Sequence, residues 1–203
     1  MLRQAVDLYT DMGRLNMAAR QLREIAEAQE KAGAKAEACA FYEQAADLFA
    51  TENATSEASR CRLKVAEASA ELGDYARAGQ LFEEVAAAAA ENNLLKYGAK
   101  GHLLCAGICA LCHGSDEEVS NRFERYREVD LQFAGSREAA LLDGCAAALA
   151  ASDDEAFSRA VGEFDGMTRL DAWKTAMLLV VKRRIGARQA GEEKGADDDD
   201  EVL

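Results

Sequence analysis

The chain is 203 residues long, has no proline, and is 30% charged with a formal net charge of −13. Alanine fills 43 positions while Val, Ile and Thr together fill 17, which excludes a strand-rich fold and points to an all-α chain. The acidic balance is wrong for general phosphate neutralisation, so no nucleic-acid partner is expected. No apolar run reaches the ~18 residues of a membrane span and no basic-then-apolar leader opens the chain, so a cytosolic protein with six reduced cysteines is expected.

Turn signals recur along the chain at Gly13, Gly33, Glu52-Asn53, Gly73, Asn92-Asn93, His113-Gly114, Gly135, Ser152-Asp153, Thr168 and Gly186. The segments between them carry apolar residues at helical spacing and predict nine or ten helices joined by short loops. Ser136 and Asp153 read as N-caps, and Ser115 with Glu118 as a capping box. The pattern Gly33-x-x-Ala36-x-Ala38-x-x-Phe41-Tyr42-Glu43 recurs 40 residues later from Gly73 to Glu83, and Ala5-x-x-Leu8-Tyr9 gives a weaker copy 33 residues earlier. Such periods belong to helical-hairpin solenoids, and Leu72-Gly73-Asp74-Tyr75-x-x-Ala78-x-x-x-Phe82 resembles the core of a tetratricopeptide unit. The expected architecture is tetratricopeptide-like hairpins over 1–112, a C-terminal helical bundle over 113–186, and a disordered acidic tail over 187–203.

Cys105, Cys109 and Cys112 fall on one helical face among Leu103, Leu104, Ile108 and Leu111. That placement reads as core packing, although Cys109-x-x-Cys112-His113 also fits a haem or redox spacing. No catalytic constellation, metal site or cofactor motif is present, and His102 and His113 read as ordinary polar residues near helix ends. In the last helix, Leu170, Trp173, Met177, Val180 and Val181 form an apolar face, with Lys182 to Arg184 in its final turn. The like-charge pairs Arg20 and Arg23, Arg60 and Lys64, and Lys96 and Lys100 are either neutralised by nearby glutamates or form a basic stripe for an acidic partner.

Several segments together resemble the soluble NSF attachment proteins, the alpha form above all: Tyr9 to Arg14 with Ala18-Ala19-Arg20, Tyr42 to Asp47, Leu94 to Lys100, Ser136-Arg137-Glu138, and Arg169 to Leu179. Members of that family usually carry further helices and an apolar membrane-touching loop before the Tyr9 segment, so membrane contact is expected to be indirect. The resemblance implies an adaptor, not an enzyme, that needs no cofactor. Several copies would bind one SNARE four-helix bundle of syntaxin-like, synaptobrevin-like and SNAP-25-like helices and present it to the AAA+ ATPase NSF for disassembly in vesicle trafficking. The family's SNARE-binding cations match Arg14, Arg20, Arg60, Lys100 and Arg137, with Lys64 and Lys96 as neighbours. Asp116, Asp153, Asp154, Glu155 and Leu203 are the corresponding ATPase-facing candidates. Three glutamates that the family places after Ser136 fall here on Ala147, Ala150 and Ala151, an expected weakening of the ATPase contact. The alternative is a generic tetratricopeptide-like scaffold that clamps the carboxylate of extended peptides, as a co-chaperone would.

Overall fold

A computed structural model describes residues 2–92 and 94–199, with side chains from residue 4 to 190 apart from 93. Ten α-helices are present and, among the described residues, no strand: α1 (Leu2–Asp11), α2 (Leu15–Lys31), α3 (Lys35–Thr51), α4 (Thr55–Glu71), α5 (Tyr75–Glu91), α6 (Lys96–His113), α7 (Asp116–Val129), α8 (Arg137–Ala150), α9 (Asp154–Met167) and α10 (Ala172–Asp199). By contacts the chain separates into unit 1, Met1–Val85, and unit 2, Ala86–Leu203.

Unit 1 is built from one turn used four times. Gly13, Gly33, Asn53 and Gly73 all take positive φ, and the next helix begins two residues after each. The residue after each of them sends its N–H five residues back: Arg14 to Tyr9, Ala34 to Gln29, Ala54 to Phe49 and Asp74 to Ser69. This is a Schellman ending, in which a left-handed residue reverses the chain and satisfies a late helical carbonyl. Glycine takes that conformation without strain, and asparagine is the usual substitute. Helices therefore start every 20 residues and hairpins repeat every 40, as the Gly33 and Gly73 patterns imply. The weaker 33-residue copy is not a repeat: its offset from 40 is seven residues, two helical turns, so it matches a helix face and not a repeat position.

Small residues carry the packing in unit 1. Ala18, Ala19, Ala26, Ala38, Ala45, Ala46, Ala58 and Ala66 are buried, and Leu22, Tyr42, Phe49 and Val65 fill what the close approach leaves open. This is the thin tetratricopeptide-like hairpin stack that the composition suggested.

Unit 2 is organised around α6, whose residues from Leu103 to Cys112 are buried continuously and which packs against α7, α8 and α10. The sequence reading placed its first division after Cys112; α6 sits wholly within unit 2. Gly107 marks the closest approach, since a Cβ there would fall 2.3 Å from Leu142 Cδ1. Cys105, Cys109, Cys112 and Cys145 are buried as free thiols, and burial pushes the Cys112 and Cys145 thiols up to about 12. They pack as small apolar side chains. The expected caps are in place: Ser115 with Glu118 closes a capping box on α7, Ser136 accepts from the Ala139 N–H on α8, and Asp153 accepts from Ala156 on α9.

The last helix departs from the sequence reading. It begins at Ala172, after Leu170, and its buried face is Met177, Leu178, Val181 and Ile185, with Trp173 and Val180 only half-buried. Gly186 does not end it. Residues 187–190, read as the start of an unstructured tail, are helical, with Arg188 hydrogen-bonded to α8 and Gln189 to the loop that follows it. Side chains from 191 onward lie outside the described residues, and with them the expected acidic tail and Leu203.

Candidate functional site

The seven cations singled out by the sequence divide between the units, with Arg14, Arg20, Arg60 and Lys64 in unit 1 and Lys96, Lys100 and Arg137 in unit 2. Arg14 occupies the N-cap of α2 without making a side-chain cap, and Arg20 stands exposed on the same helix. Among the described residues neither has an ion pair. Arg23, which the sequence grouped with Arg20, is different: half-buried, it pairs with Glu57 and Glu27 and lies 5.8 Å above the Phe49 ring. It braces α2 against α4.

Arg60 and Lys64 lie one turn apart on α4 and line a groove of about 860 Å³ opposite Glu27 and Glu30 of α2, with Tyr42 of α3 at its floor. Arg60 is 73% exposed and reaches Glu57 at 3.3 Å. Lys64 is committed to Glu30 at 3.0 Å and to Glu67 at 3.8 Å. Glu30 also accepts from the Tyr42 hydroxyl at 2.8 Å. Burial alone would raise the Glu30 carboxyl, but the bonds from Tyr42 and Lys64 outweigh it and hold the group below its ordinary value. For Lys64, then, the neutralising reading of the like-charge pairs is the geometry found.

In unit 2 the cations gather at helix N-termini. Lys96 opens α6, Lys100 follows one turn later, and Arg137 opens α8. The first turn of α6 holds no acid, nor does that of α2 behind Arg14. A cation there faces the positive end of the helix dipole, at a cost of about 0.3–1 kcal/mol at an exposed site. Lys100 and Arg137 have no ion pair among the described residues, and Lys96 only lies 5.7 Å from the ring of its neighbour Tyr97. Beside them Leu94 and Tyr97 are 89% and 76% exposed. The sequence reading missed this apolar surface, because Leu94 and Tyr97 have the residue types of a buried face.

Three of the four acidic candidates are engaged already. Asp116 is held by Arg188 through two bonds of 2.8 and 3.1 Å, which bring its carboxyl below the usual carboxylate range. Asp153 caps α9, Asp154 meets Lys182 at 3.2 Å, and Glu155 is exposed. Ala147 and Ala150 line a groove of about 300 Å³ between α7 and α8, rimmed by Asp116, Glu124 and Asp143. Arg127 neutralises much of that rim, reaching Asp143 and Glu124 at 2.7 Å each.

What positions this end of unit 2 was invisible in the sequence. Arg184, read as a last-turn cation of its own helix, instead donates to the Leu111 carbonyl at 2.8 Å and the Gly114 carbonyl at 2.6 Å, closing the C-terminus of α6. Arg188 adds a second donor to the Leu149 carbonyl of α8, which the Ser152 N–H already reaches, and Gln189 donates to the Ser152 carbonyl in the loop that follows. One face of α10 thus holds the C-terminal ends of two other helices.

Comparison with known proteins bears out the family resemblance. The family description "Soluble NSF attachment protein, SNAP" matches residues 1–186. An alpha-soluble NSF attachment protein of Vitis vinifera is 46% identical over 192 residues, 95% of this chain and 66% of its own length. A beta-soluble NSF attachment protein of Bos taurus is 41% identical, covering 94% of this chain and 64% of the relative. An alpha form from Dictyostelium discoideum is 38% identical over 91% and 63% respectively. The chain spans just under two thirds of the length of these relatives. On the family match and these identities, the chain belongs to the soluble NSF attachment protein family.

Proposed function

We propose that this chain is an adaptor that binds assembled SNARE complexes through its cations and recruits and stimulates the AAA+ ATPase NSF, which disassembles them in vesicle trafficking. The observation that carries the reading is the placement of cations against the fold's own preference. Arg14, Lys96 and Arg137 sit at helix N-termini, where a carboxylate is the stabilising choice, and Arg14 and Arg137 meet no internal acid among the described residues. Charges that cost stability and gain no partner at home are suited to an acidic partner. Arg20 and Lys100 are likewise without an ion pair among the described residues, Arg60 and Lys64 would exchange their internal acids for those of the bundle, and the exposed Leu94 and Tyr97 add apolar contact beside Lys96.

The chemistry lies in the partner: ATP is hydrolysed there, and this chain supplies attraction, orientation and, with several copies on one bundle, avidity. Asp116, Asp153, Asp154, Glu155 and Leu203 face the ATPase in this reading. The protein works in the cytoplasm and reaches membranes through SNARE complexes, and no described helix is long and apolar enough to cross a bilayer. The test is a pull-down on an immobilised assembled SNARE bundle, with and without NSF. The native chain is expected to bind the bundle, and NSF to be retained only when the chain is present. Retention of NSF without the chain, or a chain that ignores the bundle, would contradict the proposal.

A further inference from the structure

Opposite charges on alternate helices of unit 1 meet at one sequence offset. Arg23 pairs with Glu57, Lys64 with Glu30 and Arg77 with Glu43, each 34 residues apart. The offset follows from the fold: alternate helices are 40 residues apart in register, and a slide of six residues brings long side chains across the gap between them. As a result, three cations of the α2–α4 groove already have an acid: Arg23 has Glu57 and Glu27, Arg60 has Glu57, and Lys64 has Glu30 and Glu67.

This changes what the groove can recognise. A partner bearing only carboxylates would dislodge Glu30 and Glu57 from their cations or come to rest beside them. Like charges brought that close repel, the more so where a protein surface weakens the screening. A partner that places an acid against Arg60 or Lys64, and a base against Glu27, Glu30 or Glu67, exchanges each internal pair for an intermolecular one and leaves no like charges together. The eight residue steps from Arg23 to Lys31 span about 12 Å, close to two turns of a partner helix. We infer that this groove selects a helix whose acidic and basic residues alternate at about one-turn spacing, and that charge pattern, beyond net positive charge, sets which SNARE surface unit 1 accepts. The inference rests on the proposal that these cations bind a SNARE bundle.

Swapping charges across the groove separates pattern from sum. Glu30→Lys with Lys64→Glu keeps the net charge and an internal pair while reversing the pattern. Lys31→Glu with Glu67→Lys also keeps the net charge and reverses the pattern, at two other residues lining the groove. Both proteins are checked for helicity by circular dichroism, and affinity for an assembled SNARE bundle is measured at physiological salt. At least tenfold weaker binding by either folded swap supports pattern reading. Native affinity in a folded swap overturns it while leaving the adaptor proposal intact. A native chain that does not bind the bundle overturns both.

Discussion

Units 1 and 2 solve the same problem, a helical core with few large side chains, in opposite ways. Unit 1 repeats one 20-residue element with one left-handed turn, packs on alanine, and joins its repeats through half-exposed ion pairs. Unit 2 has helices of unequal length, caps them individually with Ser115, Ser136 and Asp153, and uses the guanidinium groups of α10 to close the ends of α6 and α8. Repetition makes each contact local and replaceable, whereas a clamp concentrates stability in a few polar side chains.

The contrast can be broken at several points. The largest effect is expected from Phe49→Ala, which empties a buried ring position in the thin core of unit 1 and costs about 3–5 kcal/mol, read by denaturant unfolding. Next comes Arg184→Ala. It leaves the Leu111 and Gly114 carbonyls without their cationic donor, at about 1.5–3 kcal/mol, and exchange of the α10 amides should accelerate. If Arg184→Ala proved neutral, the clamp would be decoration and unit 2 would rest on packing alone.

A pH effect sharpens the same comparison. Burial, with a smaller contribution from Lys174, holds the His102 imidazole of α6 below 6.5. As pH falls, the unfolded chain takes up the proton before the folded one, so stability drops as pH falls from about 6.5 toward the lower folded value. His102→Gln should flatten that slope in a pH series of melting curves. The smallest effect belongs to unit 1: Arg77→Ala removes the half-exposed pair with Glu43 and should change stability by less than ~1 kcal/mol.

What was legible in the sequence follows from range. The turns at Gly13, Gly33, Asn53 and Gly73 and the caps at Ser115, Ser136 and Asp153 are local chemistry, written within five residues of where they act, and the helices were read from them. The 40-residue period was visible because unit 1 repeats it. The clamp was not, because Arg184 meets a carbonyl 73 residues away and nothing near it in sequence marks that partner. α10 was ended at Gly186 for the same reason: the residues that hold its continuation, Leu149, Ser152 and Asp116, lie far upstream. Lys64 is an intermediate case. Its pairing with Glu30 follows from the repeat once the slide between alternate helices is known, and only the structure supplies the slide.

The central claim is that cations from both units engage one acidic partner. Arg20→Glu in unit 1 and Arg137→Glu in unit 2 test it most directly, each measured separately for affinity to an assembled SNARE bundle, with helicity checked beforehand. Both positions are exposed and make no ion pair among the described residues, so neither reversal disturbs a core. The account predicts that each weakens binding roughly tenfold or more, about 1.4 kcal/mol, and that added salt weakens the native complex in the same direction. Native affinity in either variant would show that only one unit carries the interaction.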